Sequence, residues 1–358
     1  MAMHGDRFGW SRALVGAVAV TAALAACSSG GSDATSTTTT VDASSVPTDP
    51  SAGCRGSIHT TSGNEKVATA SGGMDRWYFV NVPSSNTADT PQPLILDLHG
   101  YLEGAELHAG VSGLSALGPF EGFVTVTPQG QGDLVHWDTR LTSPDITFVN
   151  AVLDHVEQTT CIDKNREYAT GFSNGAFLTS TLACTDSERF AAVAPVAGIR
   201  DVPGCKPKRP VPVIAFHGTA DEFVVYKGGI GSGAKKLPAV DSKQSGKTMG
   251  EADPKSATDI LPGDINDTVP EILATWSKRN GCTGKETASK VSSDVDLLHE
   301  TCPPGDEAEL YRVTGGGHAW PGSVVGATLD SVTGHTTTSV DATKLMWAFF
   351  EAHPLRKA

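Results

Sequence analysis

A serine flanked by glycines lies where a strand-like segment meets a helix-like segment, in the middle of the chain. Residues 167–170 have the composition of a short buried strand, and residues 176–183 that of a helix. Between them, Gly171-Phe-Ser173-Asn-Gly175 matches the Gly-x-Ser-x-Gly pattern of a sharp turn. Such a turn lifts the Ser173 hydroxyl clear of the sheet, and the helix N-terminus favours a developing oxyanion. The alternative is a glycine-rich turn with an idle serine.

Strand-like and helix-like segments alternate on both sides of this turn. The predicted strands are 76–82, 93–98, 123–127, 167–170, 190–196, 211–216 and 309–313, and the predicted helices are 146–158, 176–183, 269–278 and 341–352. Strands that are apolar on both faces and alternate with helices predict an α/β fold, with a mainly parallel central sheet flanked by helices on both faces. The weakly periodic stretch at about 228–267 is predicted to be a surface insertion or partial lid.

A nucleophilic serine needs a base, and the base needs an acid that orients it. In folds with this turn the chain order is serine, acid, histidine. Asp221 and His318 follow in that order, each in a loop after a predicted strand, where such sheets place their chemistry. We therefore predict a triad of Ser173, Asp221 and His318, with the glycines at 315–317 forming an open, mobile loop. The alternatives are Glu222 as the acid, and His299 or His335 as the base.

Other residues after predicted strands are expected to complete the site. His99-Gly100-Tyr101 ends a buried strand, so the backbone N–H groups of Tyr101 and Asn174 are the predicted oxyanion donors. Three aromatic side chains on loops at this edge are candidates for lining the substrate pocket: Tyr101, Trp137 and Trp320. Core packing is the alternative for each. We expect His217 to be structural and to bond the backbone near the acid loop.

The first residues have the features of an export signal. Two arginines precede an uncharged stretch from Ala13 to Ala26, which is too short to span a bilayer easily. It ends in Leu24-Ala-Ala-Cys27, which resembles a bacterial lipobox. Residues 1–26 are therefore predicted to be a lipoprotein signal peptide and Cys27 to carry the lipid. An ordinary cleavable signal with a chance cysteine is the alternative.

The segment at 27–53 is rich in Ser, Thr, Gly and Asp and has no apolar period. It is predicted to be a disordered tether that precedes a catalytic domain at 54–358. The formal net charge is −13, and the absence of a Lys/Arg run argues against nucleic acid as a partner. No later segment is apolar enough to span a membrane, so we expect contact with a membrane only through the lipid. We also expect a monomer.

Six cysteines remain after Cys27: Cys54, Cys161, Cys184, Cys205, Cys282 and Cys302. An even set in an exported chain predicts up to three disulfides. None of these cysteines is spaced as Cys-x-x-Cys, which argues against a zinc site. Spacing alone does not choose among the possible pairings.

Taken together, four of these motifs resemble those of the polyhydroxybutyrate depolymerase and feruloyl esterase family of α/β-hydrolases, which overlaps carbohydrate esterase family 1. They are Leu98-His-Gly-Tyr101, Gly171-Phe-Ser-Asn-Gly-Ala176, His217-Gly-Thr-Ala-Asp221 and Gly316-Gly-His-Ala-Trp-Pro-Gly322. The resemblance covers about 54–352. It implies an α/β-hydrolase fold and a secreted serine esterase that uses no cofactor and no metal.

The resemblance also assigns roles residue by residue. It places the triad on Ser173, Asp221 and His318, and it implies a disulfide between Cys282 and Cys302. It leaves the pairing of the other four cysteines open. Among those pairings, the combination of Cys161–Cys184 with Cys54–Cys205 is one that the sequence neither selects nor excludes.

The resemblance and the motifs together predict an exported carboxylic-ester hydrolase that acts through an acyl-enzyme. Its two leading substrate classes are feruloyl or acetyl esters of plant polysaccharide and short polyhydroxyalkanoate oligomers. One alternative is a serine peptidase of similar fold, although such peptidases usually add a propeller or a large cap. The other is a non-catalytic cell-surface lipoprotein that retains the hydrolase fold, although no member of the triad is missing.

Overall fold

The apolar runs of the chain form the strands of one mixed sheet. The computed structural model describes residues 45–56, 65–240, 246–252 and 266–356. Its strands are β1 (Glu65–Ser71), β2 (Met74–Asn81), β3 (Gln92–Leu98), β4 (Val124–Pro128), β5 (Ile162–Phe172), β6 (Ala192–Val196), β7 (Val213–Gly218), β8 (Thr283–Lys290), β9 (Val295–Thr301) and β10 (Ala308–Val313). They lie in the order β1-β2-β4-β3-β5-β6-β7-β10-β9-β8. The six central strands, β4-β3-β5-β6-β7-β10, pair in parallel with one another. Antiparallel pairs form both edges of the sheet.

The helices are α1 (Ala105–Ser112), α2 (Leu114–Glu121), α3 (Pro144–Thr159), α4 (Asn174–Thr185), α5 (Ser232–Lys235), α6 (Val269–Arg279), α7 (Val324–Ala327), α8 (Asp330–Thr333) and α9 (Ala342–Ala352). Local chemistry defines where the longer ones begin. The Ser143 side chain caps α3 by accepting from the Asp145 N–H. Thr268 and Glu271 form a capping box at the start of α6.

Alternating side chains of the central strands build a core on each face of the sheet. In β3, Leu94, Leu96 and Leu98 belong to the cluster that includes residues of α3, α4 and α6. Ile95 belongs to the opposite cluster, which includes residues of α9. Full burial of each such side chain contributes about 1.5–3 kcal/mol. The predicted α/β-hydrolase fold, with a mainly parallel sheet and helices on both faces, is confirmed.

Among the described residues, three disulfides join the six cysteines: Cys54–Cys161, Cys184–Cys205 and Cys282–Cys302. The Cys282–Cys302 pairing implied by the family resemblance is confirmed. The combination of Cys161–Cys184 with Cys54–Cys205, which the sequence left open, is not the one found. Three disulfides in one domain are typical of an exported protein.

The tether was predicted to extend to Gly53, but its last residues are part of the folded body. The Ser51 N–H donates to the Ile162 carbonyl at 2.8 Å, and Ser51 itself is buried. The disulfide between Cys54 and Cys161 holds this segment against the start of β5. Such a disulfide restricts the conformations of the segment, and the amino-acid composition of the segment does not indicate this restriction.

The signal peptide predicted at 1–26, the lipidated Cys27 and the tether up to residue 44 lie outside the described residues. Within the described part of the chain, no helix has the length and apolar character that crossing a membrane requires.

Candidate active site

Ser173 occupies a sharp turn between β5 and α4. Its φ of 56° and ψ of −115° are unfavourable for a residue with a Cβ and cost about 1–3 kcal/mol. A Cβ on Gly171 would lie 2.6 Å from the Gly175 backbone, and a Cβ on Gly175 would lie 2.2 Å from the Leu98 carbonyl oxygen. Both glycines are therefore required by close packing of the turn against β3, and this packing fixes the position of the serine.

His318 and Asp221 form a buried pair. His318 Nδ1 lies 2.8 Å from Asp221 Oδ2. The other carboxylate oxygen accepts hydrogen bonds from the backbone N–H groups of Phe223, at 2.7 Å, and Val224, at 2.9 Å. Burial disfavours the charged carboxylate, but the charge of His318 and hydrogen bonds from His318 and His217 outweigh it. The pKa of Asp221 is therefore held well below its usual range.

The imidazole of His318 contacts two aromatic rings. The ring centroids of Phe172 and Phe223 lie 4.8 Å and 4.9 Å from that of His318. His318 and Ser173 line the same cavity, of about 220 Å³, which we call the larger cavity. Serine and histidine thus line one cavity at the C-terminal edge of the parallel strands, and Asp221 is bonded to Nδ1 of the imidazole.

The alternative acid and bases lie elsewhere. Glu222 is exposed, and its carboxylate lies 3.2 Å from the Ser232 hydroxyl. His299 lies on the edge strand β9 and contacts Thr287. The His335 side chain is 62% exposed. None of these alternatives is among the described residues that line the larger cavity.

His217 bonds the backbone of the acid loop, as predicted. Its Nε2 lies 2.9 Å from the Val224 carbonyl oxygen and 3.4 Å from Asp221 Oδ2. The ring is fully buried behind the acid loop. It therefore supports the conformation that presents Asp221 to His318.

The glycine-rich loop before His318 packs closely against its surroundings at Gly316 and Gly317, so the prediction of a sterically open loop was wrong for these two residues. The His318 N–H donates to the Thr333 carbonyl at 2.7 Å. A Cβ on Gly218 would lie 2.3 Å from the Gly316 carbonyl oxygen. The glycines permit two backbone segments to approach closely, which fixes the position of the imidazole.

His99 and Trp137 hold the loop after β3 against the serine turn. The Gly130 N–H donates to His99 Nε2 at 2.8 Å, which leaves Nδ1–H to donate to the Gly100 carbonyl at 2.7 Å. Burial lowers the pKa of His99 to about 4, consistent with this neutral form. The indole N–H of Trp137 donates to the His99 carbonyl at 2.9 Å, and its backbone N–H donates to Asn174 Oδ1 at 2.7 Å. Trp137 is fully buried and is not among the described residues that line the cavities at Ser173, so the structure does not support its predicted role in lining the substrate pocket.

A buried charged network that the sequence analysis missed lies beneath this loop. Glu103 Oε2 accepts the Gly100 N–H at 2.5 Å, and Oε1 lies 3.1 Å from His108 Nδ1. His108 Nε2 lies 2.8 Å from Asp97 Oδ1, and the Ser112 hydroxyl donates to the other Asp97 oxygen at 2.6 Å. Burial alone lowers the pKa of His108, but the two carboxylates overcome it and raise the pKa to about 10. An imidazolium held between two carboxylates therefore anchors Glu103.

A second, smaller cavity of about 40 Å³ also reaches Ser173. Tyr101 lines both cavities, and its hydroxyl donates to the Pro238 carbonyl at 2.7 Å. Trp320 lines the larger cavity, although it is almost fully buried and its indole N–H donates to Thr343 Oγ1 at 3.0 Å. Described residues of the predicted insertion line both cavities: Leu237 lines the larger one, and Ile230, Ala234, Leu237 and Met249 line the smaller one. This segment is therefore part of the site.

Residues 145–208 match the sequence profile of the prolyl oligopeptidase family. The chain is 27% identical to Feruloyl esterase B of Piromyces equi over 256 residues, 68% of this chain and 42% of that protein. It is 31% identical to "Probable feruloyl esterase C" of Aspergillus oryzae over 187 residues, 49% of this chain and 67% of that protein. A solved structure, "Acetyl xylan esterase from Aspergillus awamori", has a TM-score of 0.49 at 15% identity, over 75% of this chain and 97% of that one. The chain spans less than half of the first relative and two thirds of the second, and it belongs to the feruloyl esterase family of α/β-hydrolases.

Proposed function

We propose that this protein is a carboxylic-ester hydrolase that works through an acyl-enzyme on Ser173. The observation that carries the proposal is the buried His318–Asp221 pair, which opens into the same cavity as the strained serine. With Nδ1–H bonded to Asp221, the other imidazole nitrogen is free to take the serine proton. Ser173 Oγ attacks the carbonyl carbon, and His318 then protonates the leaving alcohol. Water hydrolyses the acyl-enzyme in a second round with the same base.

The oxyanion of each tetrahedral intermediate would accept from the backbone N–H groups of Asn174 and Tyr101. Asn174 is the first residue of α4, where the helix dipole favours negative charge. Tyr101 follows Gly100, whose N–H is fixed by Glu103. Loss of one such donor costs about 10²- to 10³-fold in kcat.

The Glu103→Gln variant tests the support of this loop. We expect kcat for ester hydrolysis to fall about 10- to 100-fold with little change in KM, because the neutral amide has one acceptor oxygen and cannot bond both His108 and the Gly100 N–H. The matched control is Glu106→Gln, because Glu106 is exposed in the first turn of α1, the helix that follows Glu103. Steady-state kinetics on folded protein decide the outcome. A variant that only unfolds at lower temperature, with kcat unchanged, would show that the network serves stability alone.

Feruloyl or acetyl esters of plant polysaccharide and short polyhydroxyalkanoate oligomers are the proposed substrate classes. The names of the relatives support the first class. The test is turnover of p-nitrophenyl acetate, methyl ferulate, acetylated xylan and 3-hydroxybutyrate oligomers, with mass mapping of a fluorophosphonate adduct. Ester turnover with the adduct on Ser173 supports the proposal. No turnover, or an adduct on another residue, contradicts it and favours the non-catalytic lipoprotein.

A serine peptidase is the second candidate, because residues 145–208 match the prolyl oligopeptidase family. That segment contains β5, the serine turn and α4, which hydrolases of this fold share whatever bond they cleave. A peptide p-nitroanilide series separates the two functions. Faster cleavage of the anilides than of the matched esters would favour the peptidase.

The same proposal places the enzyme outside the cytoplasmic membrane, held by a lipid on Cys27 after removal of residues 1–26. The lipobox and the polar segment that follows support it. Multiple acyl chains on one residue anchor a protein stably, whereas a single chain is marginal.

We expect Cys27→Ala to release the protein into the medium or to leave it with its signal peptide. Cys27 is the residue that receives the lipid, so this change removes the anchor and the cleavage signal together. Ser28→Ala, which keeps the cysteine, is the control. Fractionation and intact mass are the measurements. An unchanged mature mass and membrane fraction for Cys27→Ala would rule out the anchor.

A further inference from the structure

Ser173 lies where two cavities of unequal size meet. The larger cavity, of about 220 Å³, also contains His318, whereas the smaller, of about 40 Å³, contains Asn174 and no part of His318. Tyr101 and Phe223 line both cavities. A bound ester divides at the carbonyl carbon attacked by Ser173, so the two cavities offer different places for its acyl and alcohol parts.

The proton transfers determine which cavity holds the acyl part of the ester and which holds the alcohol part. His318 must reach the oxygen of the leaving alcohol within hydrogen-bond distance, so the alcohol extends into the cavity that His318 lines. The carbonyl oxygen must meet the donors on Tyr101, which lines both cavities, and on Asn174, which lines only the smaller one of the two. We infer that the acyl group occupies the smaller cavity and the alcohol the larger one. This inference rests on the proposed function and specifies the substrate of the same site.

The smaller cavity limits the acyl group to a short chain. Its volume of about 40 Å³ is less than a fifth of the 220 Å³ of the larger cavity. Its walls are mainly apolar: Phe177, Val224, Ile230, Ala234, Leu237 and Met249. Of the two cavities, this one therefore suits a short acyl group such as acetyl or propionyl better than an aromatic acid such as a feruloyl group.

The larger cavity favours a bulky apolar alcohol. Its walls include Leu107, Val111, Phe172, Leu329 and Val332. Apolar side chains also continue to its mouth, since Leu107 is 43% exposed and Val332 69% exposed. Among the described residues of the wall, the one carboxylate is that of Glu103, which is already bonded to the Gly100 N–H and His108. Of the ester classes proposed above, the site therefore favours those with a short acyl group over feruloyl esters, and it favours an alcohol that is apolar next to the ester oxygen.

Two isomeric esters test this orientation directly: 2-naphthylmethyl acetate and methyl 2-naphthylacetate. Both release an unactivated alkyl alcohol, so their intrinsic reactivities are similar and the position of the bulk is the main difference. We expect kcat/KM to favour 2-naphthylmethyl acetate by about 10- to 200-fold, the range that pocket fit to apolar groups provides. Equal rates, or faster turnover of methyl 2-naphthylacetate, would overturn the assignment and leave ester hydrolysis intact. No turnover of either ester, with no fluorophosphonate adduct on Ser173, would overturn the proposed function as well.

Variants in each cavity provide a second, independent test. Ile230→Ala enlarges the smaller cavity, so the ratio of kcat/KM for 2-naphthylmethyl butanoate over the acetate is expected to rise about tenfold. The matched change in the other wall is Val332→Ala, which should leave that ratio near the wild-type value while weakening the preference for naphthylmethyl over methyl alcohol. Thermal unfolding confirms that both variants are folded. The opposite pattern, in which Val332→Ala alters the acyl ratio and Ile230→Ala does not, would overturn the inference.

Discussion

Replacement of Ser173 by alanine is expected to lower kcat for ester hydrolysis by about 10⁴-fold or more while leaving the fold intact. The hydroxyl is the attacking group, and no other described hydroxyl occupies the turn. Alanine keeps the Cβ that already tolerates a φ of 56°, so the backbone strain should not change. Steady-state turnover of p-nitrophenyl acetate, together with the unfolding temperature, measures both expectations.

A suitable control is Ser232→Ala, because this exposed hydroxyl lies near the acid loop and contacts Glu222. It should retain near wild-type turnover. If Ser173→Ala retained more than a tenth of wild-type turnover, the serine would not be the nucleophile. Loss of activity accompanied by unfolding would instead point to a structural role of the hydroxyl. Alanine retains the Cβ, so the hydroxyl is the only group that this variant removes.

The central strands were predictable, and the candidate triad could be proposed, because the sequence signals for both are local. A run such as Leu94-Ile-Leu-Asp-Leu98 is apolar on both faces, which is the requirement for a strand covered by helices on both sides. Asp221 and His318 were identified because each follows such a strand. Parallel strands place the loops after them at one edge, so residues distant in sequence become neighbours.

The edge hairpin β8–β9 was not predictable in the same way. Every residue of β8 is exposed, and its sequence from Thr283 to Lys290 has no apolar alternation. It is a strand because it pairs with β9, whose Val295 and Leu298 are buried. Pairing of this kind depends on tertiary context, which overrides intrinsic preference in strands.

The charged network beneath the loop after β3 was not predicted from the sequence, for a different reason. Asp97 is a lone charge in an apolar strand, and that anomaly was the available signal, since buried charges are almost always paired. Its partners, His108 and Glu103, come from α1 and the loop before it, which carry no motif. Trp137 shows the converse limit. A loop position next to the site did not reveal that the ring faces inward and bonds His99.

Replacement of Asp221 by asparagine is expected to lower kcat by about 10⁴-fold, with a smaller effect on KM. One carboxylate oxygen accepts from the backbone N–H groups of Phe223 and Val224, and the amide oxygen would keep that place. The amide NH₂ would then face His318 Nδ1. That nitrogen would have to become an acceptor, so the proton would move to Nε2, the atom that must take the serine proton.

The Glu222→Gln variant is the matched comparison, because it makes the same chemical change at the neighbouring position. Glu222 is exposed and does not contact the imidazole, so its variant should remain within about twofold of wild type. The kcat values of the two variants, measured across pH on folded protein, separate the positions. Loss of activity in Glu222→Gln with Asp221→Asn near wild type would reverse the choice of acid. Equal losses in both would mean that the acid loop as a whole, and not one carboxylate, orients His318.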